Sequence, residues 1–387
     1  MRRMEVSVIV QAAILQSRRS MKSLLGTAAL LLTLGASVSV ETAASSWSAE
    51  HKAAISRAAI WVDRPADATT VDPAANPDDR FSVADTVDCR FDPRRVSGRT
   101  PKFDCTLPDG ESVKVKYGAA NPEVFGEVLA SRLFAVLGLP TDRMYVVSAV
   151  KCAGCPPDPF PALRCLSRQG EDTDTCFPEI DYSTVQRFDH VTIERPIPGR
   201  RIESDDRRGW EWNELDTIDS AAGGASRSEV DAFRLLAVFL AHWDNKAENQ
   251  RLLCLGEEPN SERCERPVAM IQDLGSTFGP NAVDVRGWRA FPVWADKHSC
   301  RLSMRSLPYS GLTFRDDVIS EDGRRFLAER LGRLKRPQIA AMFRAARIAD
   351  FEAADPASRQ VDEWVNAFVD KVTAIVRHEP CSTMPNY

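Results

Sequence analysis

The chain lacks an excess of basic residues. Its 50 Lys and Arg are outnumbered by 55 Asp and Glu, which gives a formal net charge of -5. Proteins that bind nucleic acid usually carry a basic surplus on some element, so the charge balance argues against a nucleic-acid partner. The composition is otherwise globular, with 43% apolar and 27% charged residues, and 387 residues can bury a sizeable core.

Apolar runs long enough to cross a membrane comfortably are also missing. The longest run, from Leu24 to Leu34, follows Arg18, Arg19 and Lys22 and precedes a series of small residues. This order predicts a secretory signal over residues 1–44, and an uncleaved anchor is the alternative. No cysteine stands near the end of the run to take a lipid. We therefore expect an exported protein, periplasmic or extracellular, with no stable membrane span after signal cleavage.

Ten cysteines agree with export, because an even number in an exported chain indicates disulfides. Each of the pairs Cys89/Cys105 and Cys254/Cys264 flanks a polar loop, which predicts bridges across adjacent strands. Cys300 is a candidate partner for Cys381. The remaining four cysteines have spacing that also resembles a zinc site, but an oxidising compartment favours two disulfides of undetermined pairing: Cys152, Cys155, Cys165 and Cys176.

The N-terminal half predicts a small β-sheet. Residues 45–85 have little periodicity and are expected to form an extension, whereas 86–195 form the sheet-bearing part, with a cysteine-rich insertion at 151–177. Strands are predicted at 103–107, 112–117, 144–150 and 191–195, the first two joined as a hairpin by the turn residues 108–110. Lys114 and Lys116 share one face of the second strand. Taken alone, such a face is most often solvated.

A helix follows this hairpin directly. Asn121 can cap it, Pro122 suits its first turn, and an apolar stripe continues until Gly138. Glu123 and Glu127 lie one turn apart on it. Both glutamates can be exposed charges of an amphipathic helix, and Glu123 can also complement the helix N-terminus.

The central stretch of the chain is 242–249. A hinge-like Pro-Ile-Pro-Gly at 196–199 and a helix with a capping box at Ser226 and Glu229 precede it. Asp244, Asn249 and, after a short apolar run, Asp273 are an acid, an amide and a second acid. Such a set can place one base and two magnesium ligands around a nucleotide phosphate. Alternatively, Asp and Asn are common turn caps.

These residues carry a resemblance to protein kinases. His242, Asp244, Lys246 and Asn249 match the catalytic-loop pattern H-x-D-x-K-x-x-N, and 273–275 (Asp-Leu-Gly) looks like the D-F-G element. Glu127, followed by Gly-Leu-Pro at 138–140, resembles the corresponding helix of HipA-type kinases. These share their fold with phosphatidylinositol kinases and with atypical secreted kinases. The resemblance covers about 110–280 and implies a bilobal α+β kinase-like fold, with a mainly helical C-lobe at 196–387.

The resemblance also implies residue roles. Asp244 and Lys246 would act in catalysis, and Asn249 and Asp273 would hold Mg²⁺ or Mn²⁺ on the nucleotide phosphates. Lys116, oriented by Glu127, would hold the phosphates of ATP. Lys114 is the competing lysine, and Lys116 is preferred because 115–117 looks more like the lysine strand of the HipA group.

Two kinase motifs are absent. No G-x-G-x-x-G covers the phosphates, and the nearest substitute is the basic loop 94–99, which contains Gly98. No A-P-E follows Gly275, so the peptide platform of ordinary protein kinases is not expected. The acceptor is therefore open: a protein, a lipid or a small molecule. A catalytically silent binding module and a nucleotidyl (AMP) transferase on the same fold are the alternatives to a phosphotransferase.

C-terminal to this region, the sequence predicts three helices. The apolar spacing places them at 324–334, 338–348 and 359–377, with Pro337 separating the first two.

Overall fold

Five strands of the N-terminal half close into a barrel. They are β1 (Thr86–Asp92), β2 (Lys102–Thr106), β3 (Ser112–Tyr117), β4 (Arg143–Ala153) and β5 (Val185–Arg195). In this computed structural model their order is β1-β2-β3-β5-β4, and β1 returns to pair with β4 in parallel. The expected hairpin is present as β2–β3. The expected small sheet is thus a closed barrel, and its first strand, which contains Cys89, had no predicted bounds.

The structure describes residues 48–62, 72–169, 176–177, 179–203, 207–256, 264–280, 283–304 and 316–381. The proposed signal at 1–44 lies outside these ranges. The described part of 45–387 forms one compact unit. No helix among the described residues is long and apolar enough to cross a membrane.

The cysteine-rich segment contributes to the barrel core, so its interpretation as an insertion outside the core was wrong. It contains helix α3 (Pro159–Gln169), whose Leu163 and Leu166 are buried in the same apolar cluster as the barrel residues Phe103 and Val115. The segment is rich in proline and charged residues, so its composition does not indicate a core element. Burial of Leu163 and Leu166 is nevertheless possible, because only one face of a short helix needs to be buried.

The extension at 45–85 is likewise integral where it is described. Helix α1 (Ala49–Ile55) begins at Ser48, whose side chain accepts a hydrogen bond from the His51 N–H. The His51 ring is buried and lies 2.9 Å from Glu214. Ala59 exchanges backbone hydrogen bonds with the strand at 267–271, both 2.9 Å long. The described part of the extension therefore packs against the rest of the fold.

Helix α2 (Glu123–Leu137) follows β3 as the sequence predicts. The Asn121 carboxamide accepts from the Glu123 N–H at 3.1 Å, and Gly138 ends the helix with φ of 81°. Its apolar side chains belong to the larger core of the molecule, together with those of the C-terminal helices. Glutamates on its opposite side are thereby directed towards the barrel.

The rest of the described chain is mainly helical around a small sheet. The sheet has the order β6-β7-β8 and is antiparallel. The predicted terminal helices are present, but Pro337 lies in the first turn of one rather than between two. The elements are β6 (Gly199–Arg201), α4 (Arg227–Phe239), β7 (Gln250–Leu255), β8 (Pro267–Ile271), α5 (Val285–Ala290), β9 (Trp294–Asp296), β10 (Arg301–Leu302), α6 (Glu321–Gly332), α7 (Arg336–Ala345) and α8 (Val361–Val376).

All ten cysteines are paired, in five disulfides. The three pairs expected from the sequence are present, Cys89–Cys105, Cys254–Cys264 and Cys300–Cys381. The pairing left open is Cys152–Cys155 and Cys165–Cys176. The zinc alternative is therefore excluded for these four sulfurs, since a disulfide sulfur is not a thiolate ligand.

Candidate active site

One lysine of the hairpin is buried among three glutamates. Lys116 on β3 is 2% exposed, and its ammonium contacts the carboxylate of Glu127 on α2. The same nitrogen lies 3.1 Å from Glu123 and 3.3 Å from Glu194 on β5. Because an ammonium has three N–H donors, this environment can use all of them. The solvated-face interpretation of the hairpin lysines does not hold for Lys116.

Two further lysines complete what we call the Lys116 cluster. Lys114 lies 2.7 Å from Glu194, and Lys102 on β2 lies 3.3 Å from Glu123. The cluster thus has three lysines and three glutamates, collected from the barrel and from α2: Lys102, Lys114, Lys116, Glu123, Glu127 and Glu194. Burying charges is costly unless they are paired, and here every charge has a partner.

The glutamates of the cluster differ in pKa, because their cationic neighbours offset the effect of burial to different extents. Burial opposes ionisation of Glu194, but Lys114 and Lys116 outweigh it and hold its pKa at about 2. Burial raises the pKa of Glu127 to about 8, and the neighbouring acids Glu194, Asp273 and Glu123 act in the same direction, against the opposing effect of Lys116. Burial disfavours the charged form of Lys116, yet Glu127, Glu123 and Glu194 raise its pKa well above the usual value.

Two glycines allow α2 to approach the segment that contains Asp273. A Cβ on Gly126 would lie 2.8 Å from Val283 Cγ2, and a Cβ on Gly275 would lie 2.7 Å from Glu123 Cγ. Both distances are too short for a side chain without movement of the neighbour. Asp273 also raises the pKa of Lys116. The Asp-Leu-Gly segment and the Lys116 cluster are therefore neighbours in the fold.

The stretch 242–249 connects α4 to β7. The His242 N–H donates to Ala237 O at 3.0 Å, and the Trp243 N–H donates to Ser276 O at 3.2 Å, which places the stretch against the Asp-Leu-Gly segment. Burial lowers the pKa of His242. Asp244 is more accessible, and its carboxylate lies 3.0 Å from the Lys246 ammonium. The expected base and lysine are thus adjacent.

Asn249 links Asp244 to Asp273. Its side-chain amide donates to Asp244 O at 2.7 Å, and its own carbonyl accepts from the Asp273 N–H at 3.1 Å. One carboxylate oxygen of Asp273 accepts from the Gly275 N–H at 3.1 Å. Among the described residues, the Asn249 side-chain oxygen and the second Asp273 oxygen accept no hydrogen bond. Amide and carboxylate oxygens are ligands that Mg²⁺ prefers, so this donor set fits a divalent ion.

The structure thus brings together Lys116 and Glu127 with Asp273, and Asp273 with Asn249 and Asp244. Lys114 lies in the same cluster, with 34% of its side chain exposed and with Glu194 as its partner. Gly98 lies in the connection between β1 and β2, and a Cβ there would be 3.2 Å from the Lys102 ammonium.

Sequence reasoning missed Lys102 and Glu194. A signal was available for Lys102, because residues on one face of a hairpin alternate in a fixed register. Lys102 lies opposite Lys116 across the predicted turn, and Glu194 lies opposite Lys114 on the neighbouring strand. The pairing of β3 with β5 joins strands that are distant in the sequence, so the register that places Glu194 opposite Lys114 could not be predicted. Only the register of the hairpin could.

Comparisons with known proteins find similarity in structure only. No family model and no curated protein matches the chain. Among solved structures, the Helicobacter pylori proinflammatory kinase CtkA is 13% identical, with 76% of this chain and 95% of that chain covered at a TM-score of 0.39. The Golgi casein kinase with Mn/ADP bound is 11% identical, with 76% and 72% covered at 0.33. Both are named as kinases.

A third similar structure is an apo pseudokinase, 12% identical, with 76% of this chain and 96% of that chain covered at a TM-score of 0.20. These similarities are thus to structures named as kinases and to one named as a pseudokinase. Because each TM-score lies below 0.5, function is inferred from the contacts of this chain's own side chains.

Proposed function

We propose that the chain is an exported, bilobal kinase-like phosphotransferase that moves the terminal phosphoryl group of ATP to a hydroxyl of an unidentified acceptor. One observation carries the proposal. The buried Lys116–Glu127 pair lies beside Asp273, which Asn249 joins to Asp244. A turn cap alone would not require a buried lysine and glutamate next to the same acid. Five disulfides support export, because such bonds persist in oxidising compartments.

Each residue has a defined task in this proposal. Asp244 orients the acceptor hydroxyl and accepts its proton as the hydroxyl oxygen attacks the terminal phosphorus. The bond from that phosphorus to the bridging oxygen breaks, and its electron pair leaves with ADP. Lys246, whose ammonium lies 3.0 Å from the Asp244 carboxylate, neutralises charge on the transferred group, and Lys116 holds the phosphates that remain.

Asn249 and Asp273 are the residues that would hold a divalent ion. When bound, Mg²⁺ or Mn²⁺ supplies charge neutralisation for the phosphate oxygens. The protein's own contribution is to fix both oxygen ligands. The Asn249 carbonyl holds the backbone of Asp273, and the Gly275 N–H holds its carboxylate.

The surroundings of Lys116 favour a second candidate function, a binding module without catalytic activity. Three glutamates surround the Lys116 ammonium, so phosphate contact requires at least one of them to give way. An AMP transferase on the same fold is a third candidate. Mass analysis after incubation with ATP separates the three functions, because it shows an added phosphate, an added AMP or no addition.

Substitution of Asp273 tests the nucleotide site. We expect Asp273→Ala to abolish Mg²⁺-dependent ATP binding in calorimetry while the fold stays intact, because the lost carboxylate is a cleft ligand and not a core contact. Asp181→Ala is the matched control, since Asp181 also accepts from the backbone N–H two residues onward, at 2.9 Å, but lies elsewhere. Unchanged Mg²⁺–ATP affinity in folded Asp273→Ala would remove the assignment.

A further inference from the structure

The connection between β1 and β2, residues 93–101, ends on the Lys116 cluster. The Thr100 hydroxyl contacts the Glu123 carboxylate, and the Pro101 carbonyl accepts from the Asn121 side chain at 2.9 Å. A Cβ on Gly98 would lie 3.2 Å from the Lys102 ammonium, so the backbone there passes directly over this lysine. The connection thus lies against the Lys116 cluster, and it contains a single glycine.

The other side of the same connection is held by α3. Arg164 donates to Gly98 O, and the Ser167 hydroxyl donates to Val96 O at 2.9 Å. Val96 itself is buried in the barrel cluster together with Leu163 and Leu166 of α3. Helix α3 therefore contacts the connection at two backbone carbonyls, those of Val96 and Gly98, and at the Val96 side chain.

Helix α3 is in turn fixed to strand β3 at its start and to Cys176 by a disulfide. At its start, the Phe160 N–H donates to the Tyr117 hydroxyl at 3.1 Å, and the same hydroxyl contacts Asp158. Towards its end, Cys165 is bonded to Cys176. Tyr117 directly follows Lys116 on β3. The helix is therefore anchored to the strand that supplies the central lysine.

We propose that α3 positions the 93–101 connection for phosphate binding, with Arg164 and Ser167 as positioning residues and Lys102 as an additional phosphate-binding cation. This inference rests on the proposed function. A glycine-rich loop must close on its ligand, whereas a connection already held in place loses less conformational entropy when the ligand binds. The cysteine-rich segment then serves nucleotide affinity as well as stability.

The connection contacts the cluster of charged groups, so its displacement should weaken contacts to phosphates. Contacts to the nucleoside should remain. The diagnostic quantity is therefore the ratio of the affinities for ATP and for adenosine, which a general loss of stability does not change.

Two disulfides of similar loop length provide a matched pair of variants. Cys165–Cys176 and Cys254–Cys264 span 11 and 10 residues, so their removal relaxes the unfolded chain to a similar extent. We expect Cys165→Ser/Cys176→Ser to lower the affinity for Mg²⁺–ATP about tenfold and to leave that for adenosine unchanged. Cys254→Ser/Cys264→Ser should keep the wild-type ratio although its sulfurs are more deeply buried.

A second pair of variants avoids the cysteines. Arg164→Ala/Ser167→Ala should lower the ATP affinity alone, and restoring a donor with Arg164→Lys should recover part of it. Arg57→Ala is the control, because Arg57 also donates to a backbone carbonyl, Cys264 O at 3.2 Å, but far along the chain from the connection.

Competition calorimetry with ATP, ADP and adenosine on the folded full-length variants distinguishes the outcomes. An ATP-specific loss in both α3 variants supports the proposal. An unchanged ATP affinity in both, or an equal loss for ATP and adenosine, overturns it while the proposed function stands. Wild-type protein that binds neither ATP nor ADP contradicts the proposed function and this inference together.

Discussion

At the scale of single residues, the shifted pKa of a buried acid, Asp142, predicts how the stability of the fold depends on pH. Asp142 is 4% exposed, and one of its oxygens accepts from the Ile197 N–H at 2.9 Å, directly after β5. Burial and the nearby Glu194 carboxylate raise its pKa from 3.8 to about 6. The folded protein therefore binds a proton here that the unfolded chain releases at lower pH.

From this shift we predict the pH dependence of stability. The free energy of unfolding should fall as pH rises from about 4 to 6, because the unfolded state ionises Asp142 first. Asp142→Asn keeps an oxygen for the Ile197 N–H but carries no charge. The variant should lack this component, on the order of 2–3 kcal/mol for a shift of about two units. Urea unfolding at pH 4, 5, 6 and 7 measures it, and parallel curves for both proteins would contradict the assignment.

How far the sequence could predict the site depended on whether the signal was local. Lys116 and Glu127 are 11 residues apart and connected by a recognisable helix start, so both were candidates before the fold was known. Glu194 comes close to Lys116 because β5 pairs with β3. Lys102 belongs to the same cluster because it contacts Glu123 on α2. No local pattern places Glu194 beside β3, since the cysteine-rich segment lies between them in the chain.

At the scale of elements, the same distinction applies. Helix α2 was predicted within about two residues at each end, because its cap at Asn121 and its stop at Gly138 are local chemistry. Strand β1 had no predicted bounds and closure of the sheet was not predicted, because β1 pairs in parallel with β4, some 60 residues later. The apolar face of α3 could not be assigned to a core from the sequence, because the barrel surface that it covers was not predicted.

The disulfides allow an element-scale prediction that is independent of function. Cys300–Cys381 closes 81 residues and Cys165–Cys176 closes 11, so the chain-entropy model assigns about 4.5 and about 3 kcal/mol to them. We expect Cys300→Ser/Cys381→Ser to lower the free energy of unfolding more than Cys165→Ser/Cys176→Ser. Denaturant unfolding of both variants tests this order. The reverse order would show that packing at α3 outweighs loop closure.

At the scale of the whole molecule, two contacts tie the barrel to the helical part around the site. Arg347 donates to Val191 O on β5 at 2.7 Å, and the Glu352 N–H donates to Ala119 O, just before α2, at 2.9 Å. The apolar stripe of α2 is buried in the same core as α4, which leads to Asp244. The lysine end and the acid end of the candidate site are therefore supported by one continuous core.

The central claim is phosphoryl transfer, and Asp244→Asn tests it most directly. Wild-type and variant protein are incubated with Mg²⁺ and ATP labelled at the terminal phosphate, and protein-bound and released phosphate are followed while calorimetry measures ATP affinity. Asp189→Asn is the control, because Asp189 also pairs with a basic residue two positions away, Arg187, at 2.9 Å. We predict that Asp244→Asn keeps ATP affinity within a few fold and lowers turnover by about 100-fold or more, since the side chain acts mainly in the transition state. Equal turnover in wild-type and Asp244→Asn protein, both folded and both binding ATP, would contradict the account.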